Sequence, residues 1–277
     1  MKIPAVINND YTIPKFVGEN TLVIVSSFSG NTEETLEALK VAQESKAEIA
    51  CITNGGKLAE IAKENNYNLL ILPKAFSPRA MLTYSVIQQL FLFNHYGFIN
   101  KDYIKETKET VTLLNNEVED IISTAKKTAI ALQNKTFVTY SESSLEGVII
   151  RFKQQINENS KALGWAHVFP EMNHNESVAW GGVGADQDAS AVDHVLLLLT
   201  WQGMHRQVSK RMDWMVAHAT TDFAWKIAGE GNTLLESMLH LCILMDWISI
   251  ALALLHGKDP AAIGPILALK AHLESVQ

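Results

Sequence analysis

Three short apolar runs early in the chain, TLVIV (21–25), AEIACIT (47–53) and NLLILP (68–73), are separated by turns and helix-prone segments at Glu33–Ser45 and 58–66. Runs this short and this apolar suit strands buried on both faces. Strand, turn, helix and strand at such spacing join through right-handed crossovers into a parallel sheet. The second half repeats the rhythm. TFVTY (136–140), AHVFP (166–170) and DHVLLLLTW (193–201) read as strands, with LEGVIIRFKQQINENSKAL (145–163), 204–219, 232–256 and a last segment after Pro260 as helices. Between the halves, 104–132 is charged, lacks Gly and Pro, and predicts one long helix. The expected fold is α/β, with two doubly wound parallel-sheet subdomains at 1–103 and 134–277 and a connecting helix at 104–133.

Composition narrows the function. Hydrophobic residues make up 47% and charged residues 19%, which supports a buried core and excludes a disordered chain. The net charge of −7, with no basic stripe, argues against a nucleic-acid groove but leaves room for a small anion at a local site. The two cysteines, Cys51 and Cys242, lie in separate apolar runs and read as small buried hydrophobes of a reducing compartment. The opening MKIPAVINNDYTIPKF lacks the apolar core and cleavage site of a signal peptide, so a cytoplasmic location is expected. The most apolar stretch, 234–255, carries Glu236, His240 and Asp246, which a membrane span tolerates poorly. It predicts a buried amphipathic helix.

The sharpest local signal in the first half is VIVSSFSGNTEET (23–35). It places Ser27, Ser29 and Thr32 at the carboxyl end of a parallel strand, where open α/β sheets bind ligands. The first amides of the following helix are unpaired and lie at the positive end of its dipole, which suits a phosphate. Ordinary helix capping explains one of these hydroxyls well and three poorly. The Gly-Lys-Ser/Thr ending of a Walker loop is missing.

In the second half, FPEMNHNES (169–177) sets Glu171 three residues before His174. That is the spacing of a metal half-site on a helix. No second such pair occurs, and Pro170 argues against a continuous helix. No metal and no cofactor is expected. His174, bracketed by Asn173 and Asn175, is the histidine that stands out among nine. His95, His205, His218, His240, His256 and His272 read as packing or surface groups. Glu158 on these grounds alone reads as an ordinary helix glutamate beside Ile149, Ile150, Phe152 and Ile156. Lys270 likewise reads as a surface lysine, whereas Arg79 follows a strand end and a proline in an apolar setting.

Long motifs carry a family resemblance. SSFSGNTEETLEAL, CITNGGKLAEIA and FSPRAMLTYSVIQQLF resemble the first sugar isomerase (SIS) domain of bifunctional phosphoglucose/phosphomannose isomerases. RFKQQINENSKALGWAHVFPEMNHNESVAW resembles the second-domain signature of that family, and 234–273 its C-terminal segment. The resemblance implies two SIS-type, flavodoxin-like subdomains. It also implies interconversion of glucose 6-phosphate, and of mannose 6-phosphate, with fructose 6-phosphate through a cis-enediol(ate). By the same resemblance, Glu158 is the proton-transfer base and His174 opens the sugar ring from across a homodimer interface. Lys270 serves the ring-opening end, Arg79 stabilises the enediolate, and Ser27, Ser29 and Thr32 hold the phosphate. Glu171 falls to a loop or supporting role. The implied partners are a phosphosugar and a second copy of the chain, with no nucleic acid and no membrane.

Two departures temper this. The family opens with a strand and a GGSG-type turn that find no counterpart, and IPAVINNDYTIP (3–14) resembles its second strand and exit. The first subdomain is therefore expected to be N-terminally incomplete by roughly fifty residues, with a natural start upstream of Met1. Where the family has a threonine after Asp-Pro, Ala261 or Ala262 occupies that neighbourhood, so glucose 6-phosphate is the substrate implied most directly. The competing readings are a phosphosugar-binding SIS module without catalysis and an inactive truncated isomerase.

Overall fold

The computed structural model describes residues 3–184 and 191–276; Met1 lies outside them. The chain divides into two compact units, Met1–Tyr103 and Ile104–Gln277. In the first, β1 (Leu22–Ser26), β2 (Glu48–Thr53) and β3 (Asn68–Ile71) form a parallel sheet in the order β1-β2-β3. The two-residue period of a strand sorts β2 onto two cores. Ile49 and Cys51 face Leu39 and Ala42 of α1 (Glu33–Glu44) and Leu58 and Ala62 of α2 (Gly56–Glu64). Ala50 and Ile52 face Leu92 of α3 (Leu82–His95), a helix the periodicity had not singled out.

The segment that resembles a strand of the family, 3–8, is irregular here, with Val6 and Ile7 63% and 87% exposed. A strand needs a neighbouring edge for its backbone and a face for its side chains; Ile13, beyond this segment, packs against the core.

In the second unit, α4 (Asp102–Leu132) is the long charged helix and leads into a four-stranded parallel sheet. The strands β4 (Thr136–Glu142), β5 (Gly164–Phe169), β6 (His194–Thr200) and β7 (Ala224–Ala228) run in the order β5-β4-β6-β7. The edge strand β7, AWKIA, escapes sequence reading because only a short, partly buried run marks it. Val138, Tyr140, Leu196 and Leu198 face α7 (Arg206–His218) through Val208, Met212 and Met215. On the other face, α5 (Glu146–Gln155) packs against α8 (Leu234–Leu255).

The apolar α8 is long enough to cross a membrane by length and composition alone, yet Leu241, Met245, Ile248 and Leu252 are buried within this unit. Its charged groups have partners. Glu236 completes a capping box with Thr233, and His240 Nε2 lies 3.3 Å from Glu117 Oε2 on α4. Asp246 takes two bonds from Arg151, at 3.1 Å from Nε and 2.5 Å from Nη2. Breaking a largely buried pair leaves a charge without its counter-ion. Asp246→Ala is therefore expected to destabilise this unit by about 3 kcal/mol in denaturant unfolding.

Both cysteines are free and buried, as small hydrophobes are. Burial pushes the Cys51 thiol up to about 11 and the Cys242 thiol up to about 12, so neither is a ready nucleophile.

Candidate active site

The first cradle is built from two interlocked turns. Ser27, 6% exposed, sits just past β1, and its Oγ lies 2.7 Å from Thr32 Oγ1. The same oxygen accepts the Gly30 amide at 3.1 Å, while Ser29 Oγ accepts the Asn31 amide at 3.2 Å. Thr32 occupies the N-cap of α1 but makes no side-chain cap bond there. The capping explanation thus fails for the residue it suits best.

The turn after β2 closes on this loop. Asn54 N donates to Phe28 O at 2.9 Å, and Leu58 N to Gly30 O at 2.9 Å. Lys57 N donates to Asn31 Oδ1 at 3.0 Å, so the amino end of α2 is occupied by the first turn. Gly30 has φ +69°, and a Cβ there would stand 1.8 Å from Gly55 O. Gly30→Ala is expected to lower the thermal midpoint, at a cost above about 1 kcal/mol, and to weaken phosphate binding measured by calorimetry.

Arg79 lies half-buried in the 3-10 turn Pro78–Met81 that follows β3 and opens α3. Since β1 and β3 both run parallel to β2, Arg79 and the hydroxyl turn follow strand ends on the same edge of that sheet.

Of the three residues expected in the second unit, Glu158 and His174 do not converge. Glu158 is the centre of a single π-helical turn, Ile156–Ser160, that continues α5, and its side chain is half-buried. Late α5 lies at the amino edge of the sheet. Phe152 packs edge-to-face on Phe137 near the start of β4, and Ile156 is the neighbour of Gly164 at the start of β5. His174, by contrast, closes a 3-10 turn, Glu171–His174, just past the carboxyl end of β5 and is exposed. The intervening six-residue strand separates the two edges by roughly 20 Å. Lys270 is exposed on α9 (Gly264–Ser275), a helix without a buried residue.

Sequence reading missed the groups that hold the His174 turn. Glu176, two residues on, lies in α6 (Glu176–Trp180). Its Oε1 is 2.5 Å from His167 Nδ1 on β5, and its Oε2 accepts the Tyr140 hydroxyl at 2.5 Å. Trp180 Nε1 donates to that hydroxyl at 3.0 Å. Burial first, then the Glu176 carboxylate, push the Tyr140 phenol well up, so it stays a donor. No local signal marks them: Tyr140 and His167 are brought side by side only by the register of β4 on β5. Glu171 is exposed and joins no group of potential metal ligands; among the described residues no cluster of three His, Cys, Asp or Glu side chains forms. Beside the turn, Asn173, Ser177, Gln207, Lys210, Arg211 and Trp214 line an open groove of 390 Å³.

At the carboxyl end of β4, Glu142 accepts from Ser144 Oγ at 2.6 Å, Trp201 Nε1 at 2.5 Å and the His205 amide at 3.1 Å. Burial pulls this carboxyl upward, but those donors together with the nearby His205 outweigh it and hold it below the usual carboxylate range. His240 is 5% exposed, and burial pushes its pKa down despite Glu117. That is the profile of a packed histidine.

Two parallel α/β units, one with a hydroxyl-lined turn at a strand's carboxyl end, make an α/β protein with a candidate anion-binding turn. Residues 10–96 match the model of the SIS domain, and residues 121–273 that of the bacterial phospho-glucose isomerase C-terminal SIS domain. The chain belongs to the bifunctional phosphoglucose/phosphomannose isomerase family. It is 36% identical, over its whole length and 83% of the relative, to the bifunctional phosphoglucose/phosphomannose isomerase of Caldicellulosiruptor bescii. With the enzyme of that name from Aquifex aeolicus, identity is 34% over 98% of the chain and 82% of the relative. The fold is similar to the C-terminal domain of glucosamine-fructose-6-phosphate aminotransferase from Francisella tularensis. There the TM-score is 0.69 at 12% identity, covering 90% of this chain and 74% of that one.

Proposed function

We propose that the chain isomerises hexose 6-phosphates, converting glucose 6-phosphate and mannose 6-phosphate to fructose 6-phosphate through a cis-enediol(ate). The observation that carries this reading is similarity over 98–100% of the chain to curated enzymes of that name. Residues 1–103 form the phosphate-binding SIS subdomain, 104–133 the connecting helix and 134–277 the second SIS subdomain. The phosphate is held by the hydroxyls of Ser27, Ser29 and Thr32 and by the first amides of α1, a neutral set of donors that suits an acidic chain. His174 and Lys270 shuttle a proton between the ring oxygen and the anomeric hydroxyl to open the sugar. Glu158 then takes the proton from C2 and returns it to C1, while Arg79 balances the charge on the enediolate oxygen.

The working unit is a cytoplasmic homodimer in which the second copy supplies His174. Two features support it. Glu158 and His174 of one chain stand at opposite edges of one sheet, too far apart to meet one sugar. And α9 leaves Leu267 and Leu269 each 58% exposed, an apolar surface that a second copy would cover. A direct test follows fructose 6-phosphate formation from each aldose phosphate in a coupled assay. Turnover with both is expected, glucose 6-phosphate being the faster given Ala261 and Ala262. Saturable phosphosugar binding without turnover would instead identify a sensing module.

A further inference from the structure

We infer that the buried Ser249 on α8 is a positioning residue for Glu158, its hydroxyl holding Asn159 and its carbonyl holding Ser160; this rests on the reading of Glu158 as the base. The two residues that follow Glu158 both turn inward. Asn159 Nδ2 donates to Ser249 Oγ at 2.8 Å, and Ser160 Oγ donates to Ser249 O at 2.7 Å. Ser249 is 0% exposed, Asn159 5% and Ser160 1%. The Ser249 hydroxyl is itself aimed by donating to Asp246 O at 2.7 Å. The Asp246 carboxylate in turn binds Arg151 and, at 2.9 Å, Gln155 Nε2 of α5.

This polar ladder is set within an apolar interface. Around it, α5 and α8 contribute Ile149, Phe152, Met245, Ile248 and Leu252. Packing alone is served as well by more such residues, and polar groups buried there are stabilising only when each finds a partner. The bonds converge on the π turn that continues α5. A π turn is rare, and it shifts the side chains that follow it around the helix axis. It ends abruptly at Lys161, whose φ of 56° is left-handed, with Lys161 Nζ on Glu158 O at 2.5 Å and Asn157 Nδ2 on Ala162 O at 2.8 Å. With Asn159 and Ser160 tied to α8, the backbone that carries the Glu158 side chain is held in place. Proton transfer between adjacent carbons needs such a hold, because about 1 Å of misplacement can cost a hundredfold in rate.

The test uses the full chain and glucose 6-phosphate carrying hydrogen or deuterium at C2. Ser249→Ala removes the acceptor of Asn159 but keeps the carbonyl that Ser160 binds. Its kcat is expected to fall about tenfold or more, with KM within about twofold and a larger deuterium isotope effect as proton abstraction becomes limiting. Ser160→Ala, which cuts the parallel bond, is the second variant and should shift the same quantities. Ser237→Ala is the control: Ser237 is equally buried on α8, and its hydroxyl finds no partner among the described residues. It should leave the isotope effect as in the parent. A merely structural role lowers the amount of folded enzyme without moving the isotope effect. An unchanged kcat and isotope effect in both Ser249→Ala and Ser160→Ala overturns the inference. Glu158→Gln is measured alongside. Loss of turnover there, with Ser249→Ala and Ser160→Ala unaffected, confines the failure to Ser249; parent-like turnover in Glu158→Gln overturns both readings.

Discussion

Glu158→Gln lowers kcat for glucose 6-phosphate isomerisation by about 10²–10⁴-fold, the range expected when a positioned general base is removed. The amide is nearly the shape of the carboxylate, so the bonds of Asn159 and Ser160 to α8 survive and the fold is retained. Phosphate binding should persist, because the hydroxyl turn after β1 lies in the other unit of the chain. Calorimetry with fructose 6-phosphate checks the second point, and exchange of the C2 hydrogen with solvent checks the first. A variant that binds and still exchanges that hydrogen at the parent rate removes Glu158 from the chemistry.

The second large effect is one of complementation. His174→Ala and Glu158→Gln are each expected to be nearly inactive as homodimers. When the two are unfolded together and refolded as an equal mixture, activity should return to about a quarter of the parent level. An isologous dimer has two equivalent sites, so half the dimers are mixed and each mixed dimer holds one intact site. The recovery reads out the geometry directly. If both residues served a site within one chain, no mixture could restore it, and the mixed sample would stay as inactive as its parents.

Much of this was legible beforehand. The strands β1 to β6 lie within a residue or two of the apolar runs that announced them, because a buried parallel strand must be apolar on both faces. The long α4 followed from an uninterrupted charged segment. The elements that were missed carry weak signals. β7 is an edge strand of five residues, and α3 is apolar nearly all round, so neither shows a clean period.

The site divides the same way. Hydroxyls after a strand mark a candidate anion turn by chemistry and order alone, and the family motifs single out Glu158, His174, Arg79 and Lys270 as candidates. No local pattern could announce that Glu176 would meet His167 and Tyr140, or that Ser249, some ninety residues from Asn159, would fix the turn beside Glu158. Those pairings join positions far apart in the chain, and period and propensity report only on near neighbours.

What the amino-acid sequence determined by itself is the layer order, the direction of the strands and the inventory of groups able to do acid–base work. Only the tertiary structure decided where those groups stand. A strand carries its ends to opposite edges of a sheet, so residues sixteen positions apart, Glu158 and His174, lie on opposite sides of the unit although the sequence sets them in one motif. Proximity along the chain is cancelled by the length of β5, and proximity in space must come from packing, as of α8 against the π turn.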